Sequence, residues 1–243
     1  MNIAAVSYLN TAPMIWGISQ AAPSLRDGLV LAIPSKCAEL FCSGAVDVAL
    51  MPVAAVASLD EGSYDIITDY CISAEDNVQS VALLSNTPLQ NIETIYLDTD
   101  SKTSVLLVRV LAREYWKITP QWVVGIPPRV KENEAIVAIG DKVFEIEKRY
   151  TQKWDLAKEW INHTNLPFVF ALWVARKGVE KKEIEKLNQA LGYGVQNIEH
   201  SIKGIETCCS DPLDYLKRNI RYELTPAKSE AIRVFWEKII TPG

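Results

Sequence analysis

Apolar residues gather along this chain in two alternating patterns. Short runs rich in Val, Ile, Leu and Ala at residues 2–6, 29–33, 46–50 and 64–69 read as strands. Between them, residues 11–20, 35–43 and 53–59 have helical length and a plausible cap. This β-α-β-α-β-α-β order predicts a mostly parallel sheet with helices on both faces. Residues 80–84, SVALL, read as another buried strand, ended by the breaker Asn86-Thr87-Pro88. A second series follows, with strands at 94–97, 121–124 and 135–139 and a long helix over 101–115. A helix at 155–163 then leads into the strongest strand, PFVFALWVAR at 167–176. From Val179 to Ile240 the pattern is helical, with no convincing strand, and breaks at Gly192, Gly204, Asp211-Pro212 and Thr225-Pro226.

Two such series, joined by strand-like crossings at SVALL and FALWV, predict an α/β fold of two lobes with an interlobe cleft. Lobe I is expected at residues 1–84 plus 176–243, with the helical C-terminal segment packed back on it, and lobe II at 85–175. A cleft between lobes is where ligands of such proteins sit.

Composition narrows the function. The 243 residues are 49% hydrophobic and 23% charged, as in ordinary soluble globular proteins. The net charge of −5 is scattered and forms no basic stripe, which argues against nucleic acid as a partner. The longest apolar runs, such as 168–175, are too short to span a bilayer, so no membrane partner is expected. Met1-Asn2 leads straight into a strand without a basic n-region, and a cytoplasmic location is the expectation. Cys37, Cys42, Cys71, Cys208 and Cys209 show no C-x-x-C spacing, and a bond between the adjacent pair would be strained. With only His163 and His200 besides, no zinc cluster is suggested. The chain reads as metal-free and intracellular, with buried or incidental thiols.

Candidate chemistry lies where strands give way to helices. Ser7, Tyr8, Asn10 and Thr11 crowd together in SYLNT before Pro13; the segment is either a turn with a helix cap or a ligand loop. Ser35 follows Pro34 into the second helix, and Ser101-Lys102-Thr103-Ser104 opens the long one. Helix N-termini carry free N–H groups and a partial positive charge, so they attract anions. Three such ends on one sheet edge would suit a small, multiply anionic, oxygen-rich ligand. Capping explains Ser35 as well as function does, but one cap needs one hydroxyl and SKTS has three. Gly140-Asp141 after AIVAI adds a carboxylate, or is a turn; Trp173 is core or cleft wall. No G-x-G-x-x-G, G-x-x-x-x-G-K-[ST], G-x-S-x-G or H-E-x-x-H occurs, which counts against nucleotide binding, triad hydrolysis and zinc hydrolysis.

The ordered segments VSYLNTAPM, IPSKCAELFCSGAVDVALMPVAA, SVALLS, LDTDSKTSVLLVRVL, AIGD and DLAKEWINHTNLPFVFALWVAR together resemble the chorismate dehydratase family of the futalosine route to menaquinone. The resemblance covers about residues 2–176 and implies a fold like the type II periplasmic binding proteins. It implies chorismate, a small dicarboxylate, as substrate, loss of water to give 3-[(1-carboxyvinyl)oxy]benzoate, and no cofactor. It also implies that the substrate's own enolpyruvyl carboxylate serves as base. Asn10 is then the candidate catalytic residue, with Ser7, Tyr8, Thr11, Ser35, Ser80, Ser101, Thr103, Ser104, Gly140, Asp141 and Trp173 as candidate substrate-binding residues. One departure is Lys102, where the family reads Arg: charge is kept but the planar fork is lost, which puts an anion clamp there in doubt. Two rivals share the expected fold, a binding protein without chemistry and the related lyase that forms dihydroxynaphthoate.

Overall fold

The computed structural model describes residues 1–240. In chain order its strands are β1 (Ile3–Val6), β2 (Leu29–Ala32), β3 (Val48–Pro52), β4 (Tyr64–Ala74), β5 (Val81–Ser85), β6 (Thr94–Leu97), β7 (Gln121–Val124), β8 (Glu134–Ile139), β9 (Gln152–Asp155), β10 (Phe168–Arg176) and β11 (Arg221–Glu223). They form two sheets, ordered β11-β4-β10-β3-β1-β2 and β7-β6-β8-β5-β9. β1, β3 and β5 are buried at every residue, and β10 at all but Arg176. Burial on both faces is why these strands stand out in the sequence as unbroken apolar runs.

The sheets are mixed rather than mostly parallel. β1–β2, β1–β3, β6–β7 and β6–β8 pair in parallel. β10 runs antiparallel to both β3 and β4, and β5 to both β8 and β9. β5 and β10 are the strands by which the chain enters a new sheet, and each runs against its neighbours. Each also lies wholly in one sheet, β5 in the second and β10 in the first. The chain therefore passes between sheets at residues 75–80 and 156–167, not within SVALL and FALWV. Sheet membership departs from the expected division by these two strands.

The C-terminal segment is not purely helical. β11 adds to the free edge of β4, pairing Arg221 with Ser73 and Glu223 with Tyr70. Three residues are too few to show a period, which hid this strand in the sequence. The helix Lys181–Gln196 lies against Ala12–Ala21 at a pair of glycines. A Cβ on Gly194 would fall 1.9 Å from the Pro13 carbonyl oxygen, and one on Gly17 would fall 2.1 Å from that of Ala190. The last helix, Pro226–Ile240, donates from Trp236 Nε1 to Val53 O and packs Phe235 edge-on to Trp160 and Phe168. The helix expected over 101–115 is α-helical over Lys102–Leu111, widens into a π turn at Ala112–Trp116 and stops at Lys117 with φ +57°.

Candidate functional site

A narrow cleft lies at the junction of the sheets. Strand ends build its wall. Val6 ends β1, Pro52 ends β3, Ile139 ends β8 with Gly140 just after it, and Ser101 and Ser104 follow β6. β10 adds Phe170 and Ala171 at a register shift where Phe170 has no counterpart on β4. Ligands of open α/β sheets gather at this edge, and bulges often sit beside such sites.

The segment after β1 folds as a single 3-10 turn, Leu9–Thr11, before the Ala12–Ala21 helix. Neither Asn10 nor Thr11 caps that helix with its side chain. Thr11 is buried, its hydroxyl 2.5 Å from Val6 O and 2.7 Å from Tyr8 O, and it holds the turn closed. Asn10 lines the cleft with its amide oxygen buried and without a hydrogen-bond partner. Capping therefore does not account for SYLNT. Tyr8 lays its ring on Gly140, where φ is +64° and a Cβ would come 2.7 Å from Tyr8 Cε2, so only glycine permits the contact. The Tyr8 hydroxyl donates to Asp100 Oδ2 at 3.3 Å. Burial first, then the charges of Asp100 and Asp98, push its pKa well above the ordinary phenol value.

The opposite wall sorts the three hydroxyls of SKTS. Ser101 is the N-cap of Lys102–Leu111 and accepts from the Ser104 backbone N–H at 3.5 Å. Ser101 and Ser104 line the cleft. Thr103 does not: its hydroxyl accepts from Ala54 N at 3.1 Å and donates to Phe170 O at 3.3 Å, joining the helix to its neighbours. Lys102 is exposed and reaches Ser58 Oγ at 3.1 Å, so no cation from this position enters the cleft wall.

Of the expected site residues, Tyr8, Asn10, Thr11, Ser101, Ser104 and Gly140 come together. The others stand apart for local reasons. Ser7 is exposed and lines, with Asp141, an outer pocket beside the cleft. Ser35 lies in the first turn of Pro34–Cys42, whose N-cap is Ile33; its N–H donates to Asp100 O at 2.8 Å, and its neighbour Pro34 meets the cleft. Ser80 is fully buried and accepts from the Tyr215 hydroxyl at 2.7 Å. Asp141 accepts from the Leu9 N–H, and burial raises its carboxyl above the usual range, with that hydrogen bond opposing. Trp173 is fully buried among the core residues and is not cleft wall.

Sequence reasoning passed over an ionic cluster next to Tyr8. Lys142 Nζ lies 2.6 Å from Asp98 Oδ2 and 2.7 Å from Asp100 Oδ2. Burial works against the ammonium charge, but bonds to Asp100 and Asp98 more than offset it and raise the Lys142 pKa. The D-x-D in LDTD was its one visible sign.

The sequence profile of the menaquinone biosynthesis family matches residues 1–240. The chain belongs to that family. The chorismate dehydratase of Thermus thermophilus is 27% identical over 188 residues, covering 66% of this chain and 65% of that protein. The match thus spans just under two thirds of the relative's length. Among solved structures, a protein from Archaeoglobus fulgidus superposes with a TM-score of 0.74 at 13% identity, over 98% of this chain and 95% of that one. The alkanesulfonate-binding protein of Xanthomonas axonopodis pv. citri, bound to MOPS, gives 0.62 at 13% identity over 100% and 94%. A Candida albicans protein with the generic periplasmic binding protein fold gives 0.59 at 10% identity over 99% and 93%. Likeness at these identities shows the fold: this menaquinone biosynthesis family member has an α/β fold of two mixed sheets like that of the periplasmic binding proteins. Among the described residues, no helix is long and apolar enough to cross a membrane.

Proposed function

We propose that the chain binds chorismate in this cleft and removes water from it, giving 3-[(1-carboxyvinyl)oxy]benzoate for menaquinone synthesis. The observation that carries the reading is the pairing of two features across one largely apolar cleft. On one side is the hydroxyl-bearing N-terminus of Lys102–Leu111; on the other is the buried, unpartnered amide oxygen of Asn10. Chorismate offers a complement to each, carboxylates for the helix N-terminus and a ring hydroxyl for the acceptor.

The reaction is redox-neutral. The ring carbon bearing the ether loses its proton, the freed electron pair forms a ring double bond, and the neighbouring C–OH bond breaks. Proton and hydroxide leave as water, and the ring becomes aromatic, which supplies the driving force. Among the described cleft-lining residues only Tyr8 has a titratable side chain, and its raised pKa keeps it a phenol. That wall fits a reaction in which the substrate's enolpyruvyl carboxylate takes the proton while the protein supplies conformation and charge stabilisation. Ser101 and Ser104 hold one carboxylate, Asn10 holds the hydroxyl, and Val78, Val81, Ile139 and Phe170 exclude water.

The test is metal-free incubation of pure protein with chorismate, followed by proton NMR. New aromatic signals of the benzoate product support the reading. Chorismate recovered unchanged despite measurable binding would instead favour a carboxylate-binding protein, a role compatible with the alkanesulfonate-binding neighbour. No binding at all would favour the dihydroxynaphthoate-forming lyase.

A further inference from the structure

The hydroxyl of Tyr222 donates to the backbone carbonyl of Asn10 at 2.9 Å, across 212 residues of sequence. Tyr222 sits in β11 and is buried. Its partner carbonyl lies in a one-turn 3-10 segment, and Pro13, three residues on, has no N–H to continue that turn. The C-terminal segment supplies the missing donor. The same segment grips the passage between the sheets: Asn219 donates to Asn77 O and Oδ1 and accepts from Gln79 Nε2, and Tyr215 donates to Ser80.

We propose that Tyr222 is a positioning residue, which fixes the Asn10 carbonyl and thereby aims the Asn10 amide into the cleft. The effect on turnover rests on the dehydratase reading; the effect on Asn10 itself does not. Tyr222→Phe keeps the buried ring and removes only the donor. In that variant the side-chain amide signals of Asn10, assigned in 15N-labelled protein by their loss in Asn10→Ala, should shift and broaden. With chorismate, kcat should fall about tenfold while KM stays within about twofold. On an Asn10→Ala background, Tyr222→Phe should cost less than about twofold more, because both changes act through one group.

An Asn10 amide signal that does not move in Tyr222→Phe overturns the proposal, as does a loss that multiplies in full on the Asn10→Ala background. Wild-type protein that leaves chorismate untouched would retire the proposed reaction, while the Asn10 signal would still decide the role of Tyr222.

Discussion

The Leu9 backbone N–H faces both carboxylate oxygens of Asp141, at 3.1 and 3.2 Å, and ties the chain after β1 to the end of β8. Tyr8 to Asp100 and Ser35 N to Asp100 O make two more ties across the same cleft. Asp141→Ala leaves the buried Leu9 N–H without a partner, which costs about 1–3 kcal/mol, or a melting temperature several degrees lower. Asp141→Asn keeps an acceptor and removes a charge that burial penalises. Because the folded pKa is raised, the native state holds this proton more tightly than the unfolded chain does. The contribution of Asp141 to stability therefore falls as pH rises from the ordinary carboxylate range through the folded value, and is level above it. Calorimetry across pH should show Asp141→Asn gaining on wild type over that window. A constant difference at every pH would dismiss the charge penalty.

Ser104 and Thr103 are adjacent, yet they should respond differently to substitution. Ser104→Ala removes a hydroxyl from the cleft wall and should raise the chorismate KM about tenfold, with little change in melting. Thr103→Val keeps the shape but strands the Ala54 N–H, at a cost of about 1–3 kcal/mol of stability, with KM nearly unchanged. Equal KM shifts in the two variants would remove Ser104 from the site.

The limits of the sequence are visible in these same residues. SKTS announces a helix start, but only helical rotation decides that Ser101 and Ser104, three apart, share the cleft side while Lys102 and Thr103 turn elsewhere. β10 is apolar on both faces, so its composition cannot separate Phe170 on the cleft from Trp173 in the core. β9 and β11 escaped notice because each is a sheet-edge strand of at most four residues with polar members. Lys142 pairs with acids more than 40 residues away, and no spacing rule reaches that far.

Glu114 links the last helix to the second series of elements. It takes Lys238, Arg113 and His163. Burial opposes its ionisation, but the bonds from Lys238 and Arg113 outweigh this and hold its pKa down to about 2. A carboxyl depressed in this way stabilises the fold above its unfolded pKa and loses that contribution as pH falls toward about 2. Glu114→Gln should lower the melting temperature at pH 7 by about 2–4 °C, since a partly exposed cluster contributes on the order of 1 kcal/mol. The gap to wild type should narrow as pH falls below about 4. A gap that widens in acid would mean that the carboxylate is not what Lys238 needs.

Asn10 gives the sharpest test of the site. Its side chain caps no helix, and its backbone carbonyl is held by Tyr222, so exchanging the amide for a carboxyl disturbs no hydrogen bond within the protein. Asn10→Asp should melt near wild type in acid, where the new carboxyl is neutral. In the cleft, however, the change sets a negative charge against a dianion and removes the amide donor. Together these should cost on the order of several kcal/mol, a loss of a hundredfold or more in turnover. Asn10→Ala loses the acceptor without adding charge and should lose less, about tenfold. The two variants also part company with pH. A carboxyl in a partly dry cleft beside a dianion has a raised pKa, so acidification neutralises it and restores a donor. The ratio of Asn10→Asp to wild-type turnover should therefore climb as pH falls from 8 toward about 5, while the Asn10→Ala ratio stays flat. Chorismate turnover by both variants across that range, beside their melting temperatures, decides the matter. Normal melting with near wild-type turnover in Asn10→Asp would take Asn10 out of the reaction.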